Sequence, residues 1–318
     1  MKMMNLKLIK SNKLLEMLVA LLLVMVFVLP LLSFASSKGD IYVDANASGK
    51  EDGSKEFPFH TISSALDAAN GDADLHLANG TYHENIEISK GVSVFGESRE
   101  NVVIEAASNN KPAVTMKDKT RIDKVTVRFG KTGIKIEGDG KIAVVNVIVE
   151  KSKNDGISIE DAKVNKQNLV GITDSLIRNN KRAGIFSQER KLSLINNEIK
   201  DNEKDGVVLQ SGADAWIKGN EFTNNDGVGL RAELDESNIW TIKNTYKRNE
   251  KGGVLIDSFG KAGRIDIAKS KFTDNANYAI VRLAHNGSTG KVWNGFTVNS
   301  NNTFRETHKA NVSPIIVK

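Results

Sequence analysis

The sequence predicts an all-β solenoid, a single chain wound as a parallel β-helix, and three observations predict it. First, a short unit recurs. Its marker is the apolar residue at Val149, Ile177, Ile199, Phe222, Tyr246, Phe272 and Phe296, at successive intervals of 28, 22, 23, 24, 26 and 24 residues. Second, small polar residues keep station around it. Ser152, Asn180, Asn202, Asn225, Asn249, Asn275 and Asn299 follow by three places, and Val147, Ser175, Asn197, Asn220, Asn244, Ser270 and Asn294 precede by two. Third, a small residue five to seven places after the marker (Gly156, Gly184, Gly206, Gly227, Gly253, Ala279) opens alternating stretches such as "GISIE", "GVVLQ" and "GVLID".

Alternation marks a half-buried strand. One unit cannot bury its apolar face alone, so the units must stack. An interval of 22–28 residues holds two or three short strands with their turns, which is one coil of a β-helix. Eight to ten coils are expected, with insertions at the corners. Asn suits such corners because it tolerates left-handed backbone and bonds to neighbouring main chain. Stacked at about 4.8 Å, its amides can also run from coil to coil.

In chain order, residues 1–35 read as a targeting segment. Lys2, Lys7, Lys10 and Lys13 precede the apolar run 17–32, and Ser33–Ala35 offers small residues for cleavage. An uncleaved membrane anchor is the alternative, since the apolar stretch nearly spans a bilayer. Residues 41–100 form the N-terminal cap and first coils. Within them Thr61 caps a short helix whose Ile62, Ala65, Leu66 and Ala69 make one apolar face, stopped by Gly71. Residues 101–302 are the coils. Residues 303–318 follow as a C-terminal cap, with Ile315–Val317 as its apolar part.

Composition narrows the function. The formal charge is +5, but without the first 35 residues the body carries 40 bases against 38 acids. A near-neutral body argues against nucleic acid. Cysteine is absent, so an exported body relies on its core and backbone ladders. A monomer is expected, touching membrane only through its N-terminal segment.

Residues 41–98 begin "IYVDANASGKEDGSKEFPFHTISSALDAANGD" and continue through "NGTYHENIEISKGVSVFGES". They resemble the N-terminal segment of pectin-lyase-like right-handed β-helix proteins. The matching marks are Pro58-Phe59 before Thr61-Ile62, the small-residue helix, Gly80-Thr81-Tyr82 with Glu84, and Gly91 leading to Gly96. The resemblance implies a right-handed winding and a polysaccharide partner along the outside of the stack. It spans lyases, hydrolases, esterases, epimerases and surface proteins without a known reaction, so it does not fix an activity.

Two sets of residues are candidates for chemistry. The Asp-Gly dipeptides place Asp155, Asp205 and Asp226 at similar points. Asp205 and Asp226, on consecutive coils, could act as an acid/base pair, although Asp-Gly is also an ordinary turn. The outward positions of the glycine-led strands supply a polar row, Glu137, Glu160, Gln188, Gln210, Arg231 and Asp257, with Arg282 and His285 on the next coil. Asp257 and His285 join the catalytic candidates. Arg231, Arg282 and Gln210 are candidates for binding substrate, with Phe186 on an adjoining apolar strip beside Val208 and Leu255. No cofactor is called for. Calcium alone stays open, through Glu233, Asp235 and Glu236 in one loop that matches no standard calcium spacing. The expected function is a secreted or cell-surface protein binding polysaccharide along its outer face. A lyase or hydrolase acting on an acidic glycan, and a structural spacer or adhesin, are the alternatives.

Overall fold

The computed structural model describes residues 39–161, 168–210, 212–259, 263–285, 295–306 and 308–317. Their strands form three parallel sheets, of eleven, ten and ten members among the described residues. The first sheet runs from Gly39–Val43 to Phe296–Val298, the second from Gly80–His83 to Thr303–Arg305, and the third from Ile86–Ile88 to Val312–Val317. Each coil gives one strand to each sheet, as the repeat predicts. The expected targeting segment, residues 1–35, and Asn294 lie outside the described residues.

The repeat marker is an inward column of the second sheet. Val149, Ile177, Ile199, Phe222, Tyr246 and Phe272 stand in direct register and are fully buried. Phe222, Tyr246 and Phe272 stack with ring centroids 4.8 Å apart. One marker is displaced. Phe304, not Phe296, pairs with Phe272, while Phe296 belongs to the first sheet beside Ile265. The last coil is therefore longer than its "NGFTVNSN" motif suggests, and Asn302, two places before Phe304, takes the station next to Ser270, whose N–H it accepts at 2.8 Å.

The two polar columns are two asparagine ladders, one at each corner flanking the second sheet. Asn197 donates its amide to Asn220, and Asn220 to Asn244, at 3.0 and 3.1 Å. At the other corner Asn180, Asn202, Asn225, Asn249 and Asn275 form an unbroken chain at 2.9–3.0 Å. These side chains are buried, and each oxygen also accepts a backbone N–H of the preceding coil. Every ladder amide is thus satisfied away from water, which a buried polar group requires.

The glycine column exists because the backbones approach closely there. A Cβ on Gly206 would meet the Gly229 carbonyl oxygen at 2.5 Å, and one on Gly184 would meet that of Gly206 at 2.7 Å. Gly229, not Gly227, is the partner of Gly206. Gly229 stands seven places after Phe222, the same interval as Gly206 after Ile199, so the coil keeps its spacing and the Asp-Gly of "NNDGVGL" falls two places early.

The helix Ile62–Ala68 caps the N-terminal end as expected. Thr61 accepts the Ser64 N–H at 3.1 Å, and Ile62 and Ala65 are fully buried. The Glu84 carboxylate accepts the N–H groups of Ile62 and Ser63 at 2.8 and 2.9 Å, fastening the helix start to the first coil. The far end differs from the expected cap. Thr303–Arg305 and Val312–Val317 join the second and third sheets and extend the winding. Ile316 and Val317 remain exposed, because an outermost strand has no coil beyond it.

Candidate functional site

The outer face of the third sheet carries two side-chain columns. One runs Lys135, Ser158, Phe186, Val208, Arg231, Leu255 and Val281. The other, one position further along each strand than the buried row, runs Glu137, Glu160, Gln188, Gln210, Glu233, Asp257 and Leu283, as the strand registers and the backbone bonds that end them show. Arg231 is therefore level with Val208 and Leu255, and Glu233 occupies the place in the polar row that the sequence assigns to Arg231. The shift arises because Asp226-Gly227 stands two places earlier in its coil than Asp205-Gly206 does, so counting the strand from Gly227 instead of Gly229 displaces each outward position by two.

The same early placement of the Asp-Gly separates the proposed aspartate pair. Asp226 N–H bonds Asn202 O and Glu203 N–H bonds Asn180 O, so Asp226 is level with Glu203 and is exposed. Asp205 is level with Val228 and is buried. Its Oδ1 accepts the Val228 N–H at 2.8 Å and its Oδ2 accepts Arg231 Nε at 2.7 Å. Asp155 does the same two coils earlier, accepting the Ala183 N–H at 3.0 Å, and burial raises its carboxyl above the usual carboxylate range. Asp155 and Asp205 fasten their turns to the next coil, and Asp205 also aims an arginine.

From Arg231 a polar chain continues across coils. Its Nη1 lies 3.8 Å from Asp257 Oδ2. Asp257 Oδ1 is 2.6 Å from Nε2 of His285, although neither of those two buried atoms has a well-aligned hydrogen-bond partner. The His285 ring stacks on Phe259 with centroids 4.3 Å apart and planes 7° from parallel, and Phe259 is 43% exposed. The Phe259 N–H is fixed by Asp235 Oδ1 at 3.1 Å. The group thus presents a guanidinium held by a buried carboxylate, an Asp–His contact and an exposed ring face.

Arg282 is not part of this group. It pairs with Ile256, in the inward column, and its guanidinium donates to Ser313 O at 2.9 Å and lies over the Phe296 ring. The alternation "IVRLA" turns Val281 and Leu283 outward and leaves Arg282 to fill the end of the core. Gln210 and Phe186 are on the outer face as expected, half-buried, in the stretch between the two charged ends. The three loop acids do not fit a calcium site. Asp235 is buried with an oxygen committed to Phe259 N–H, and no three His, Cys, Asp or Glu converge on one point among the described residues.

A well-formed hollow lies elsewhere. It measures about 620 Å³ and is lined by Tyr42, His76, Phe95, Lys55 and Lys124 at the other end of the molecule, on the first sheet. None of the residues singled out for chemistry in the sequence borders it. Phe259 was not legible as a site residue either. Its only trace is an aromatic two places after the outward Asp257.

A family model described as "Right handed beta helix region" matches residues 132–304, more than half of the chain. The chain belongs to the right-handed β-helix family. Among curated relatives of this β-helix, the uncharacterized protein YwoF of Bacillus subtilis is 25% identical over 227 residues, covering 66% of this chain and 46% of that protein. The chain thus spans less than half the length of that relative. Two solved structures share the fold. Full-length tailspike protein 2 of an Escherichia coli O157:H7 bacteriophage superposes with a TM-score of 0.58 at 16% identity, covering 87% of this chain and 42% of that one. The polygalacturonase of Erwinia carotovora ssp. carotovora gives 0.57 at 13% identity, covering 88% and 98%.

Proposed function

We propose that this β-helix is an exported protein that holds a polysaccharide against the outer face of its third sheet. The observation that carries the reading is the convergence of Arg231, Asp257, His285 and the exposed Phe259 ring on one side of adjacent coils. Sugars present hydroxyls to charged and amide groups and an apolar C–H face to aromatic rings, and this surface offers both. Gln188 and Gln210 extend the polar row along the axis, so a linear chain would find further partners. Fold likeness to a polygalacturonase and to a phage tailspike supports a glycan as partner. The lysine-led apolar segment 1–35 supports export, with the body acting as a monomer outside the cell or at its surface. The division into 41–100 as cap and first coils, 101–302 as coils and 303–318 as terminal segment belongs to the same proposal.

One observation favours a catalytic reading. Asp257 Oδ1 lies 2.6 Å from His285 Nε2, and an imidazole so placed near a guanidinium can move a proton next to a neutralised uronate. Retention and cleavage by the full-length chain on a panel of polyuronates and neutral glycans, with and without calcium, separate the readings. Retention without cleavage, lost in Arg231→Ala, is expected. Chain cleavage would replace the binder by the enzyme, and neither retention nor cleavage would leave a structural rod.

A further inference from the structure

We propose that a second glycan site, for a uronic-acid residue, is built around Phe129 at the corner between the second and third sheets, remote in sequence from the Arg231 group. From residue 151 onward each coil turns at this corner through a polar residue with left-handed backbone: Lys151, Asn179, Asp201, Asn224, Arg248, Asp274 and Glu306. Phe129 occupies the same column with φ +70°. It is the one apolar residue in a series of polar ones, in a conformation that bulky side chains disfavour and Asn accepts readily. Its ring is also 38% exposed. A corner that needed only to turn would be better served by Asn, and a core that needed a ring would bury it.

The surroundings give the ring a use. In the preceding coil the corner is Ala106, whose N–H bonds Arg128 O, and the small side chain leaves space below the ring. That space is a hollow of about 400 Å³ lined by residues 106–109, Phe129, Lys151 and Lys153. Cations surround it. Arg128 Cζ and Lys151 Nζ lie 5.3 and 5.6 Å from the ring centroid. Lys153 Nζ bonds only the neutral Asn109 Oδ1 among the described residues, at 2.8 Å. Lys111 and Lys131 share the corner through the backbone bond between them. Two carboxylates, Glu105 and Glu150, stand among these bases, paired with Arg128 and Arg178.

This mixture selects one chemistry. The ring face takes the C–H face of a sugar, the ammonium groups of Lys151 and Lys153 take a carboxylate, and Glu105 and Glu150 accept hydroxyl protons while repelling a polyphosphate. An acidic sugar satisfies all three. A single-stranded nucleic acid would stack on the ring but meet the two carboxylates.

Titrating the full-length chain with a galacturonate trimer, its reduced neutral counterpart, inorganic phosphate and a short single-stranded DNA tests this. The site predicts that the trimer binds at least tenfold tighter than the neutral sugar. Phe129→Asn and Lys153→Ala should each weaken the trimer tenfold or more, and Arg231→Ala should leave this Phe129-dependent binding in place. Phe129→Asn fits the backbone better than the native residue, so its unfolding midpoint should hold or rise and a binding loss cannot be misfolding. Wild-type affinity in Phe129→Asn, equal affinity for phosphate or DNA, or no binding of the trimer would each overturn the site. Retention on other glycans that depends on Arg231 would still leave the third-sheet face standing.

Discussion

The two ends of the outer face of the third sheet carry charge in different ways. At the N-terminal end Lys117 bridges Glu87 and Glu137 at 3.3 and 2.7 Å, and Lys135 bridges Glu137 and Glu160 at 2.6 and 2.8 Å. Each charge there is balanced by neighbours one coil away, and water reaches the whole net. At the C-terminal end Arg231 is anchored through a carboxylate that is itself buried and fixed to backbone, and the Asp257–His285 contact lies beside an exposed ring. The first arrangement neutralises a surface. The second holds a few groups in fixed orientation with an open side, as recognition requires.

The comparison breaks most visibly at Asp205. Asp205→Ala leaves the Val228 N–H unpaired and Arg231 without its anchor, and should cost about 2–3 kcal/mol in urea unfolding. The loss of Lys135 from the other end should cost less than about 0.5 kcal/mol. Equal losses would mean that the two ends are built alike. In glycan retention, Arg231→Ala should weaken binding about tenfold, equivalent to about 1.4 kcal/mol, whereas Lys135→Ala should change it by less than about twofold. The reverse order would move the binding face to the N-terminal end.

The smallest effect is in pH. Hydrogen bonds from Lys117, then Lys135, hold the Glu137 carboxyl below the usual carboxylate range, and bonds to Glu137 raise both lysines. A carboxyl depressed by folding adds stability above its unfolded pKa, and loses it as pH falls through the folded one. Glu137→Gln should therefore cost about 0.5 kcal/mol at neutral pH and nothing in strong acid. Asp155 has the opposite sign, since burial raises its carboxyl. Its contribution is present in acid and fades as pH rises, so Asp155→Asn should be tolerated near neutrality and relatively weaker in acid. Melting curves of the two variants between strong acid and neutrality should thus diverge in opposite directions.

The coil architecture was readable because stacking repeats a demand at a fixed interval. Only Asn, Gly or a large apolar residue meets the demand at each station, so Asn202, Gly206 and Phe222 announce themselves. Failures occurred where one coil imitates the signal out of phase. The Asp-Gly two places ahead of Gly229 makes Asp226 look like a second Asp205, and "NGFTVNSN" makes Phe296 look like Phe304. Arg282 misled for another reason. Its position alternates inward in the last strand but one of the third sheet, where Ser313 O of the final strand receives the charged head. Phe259 and Phe129 were not legible because exposure of a ring depends on what the neighbouring coil places beside it, and no local pattern records that.

The step from ladder asparagine to close-contact glycine is the same four residues at Asn202–Gly206, Asn225–Gly229 and Asn249–Gly253. Such a solenoid behaves like a stack of independently indexed rings. Between its fixed stations each ring can change its lettering, as the early Asp226-Gly227 of one ring shows, while its neighbours keep theirs. New combinations of side chains can therefore be dialled onto the surface one coil at a time, without renegotiating the interior.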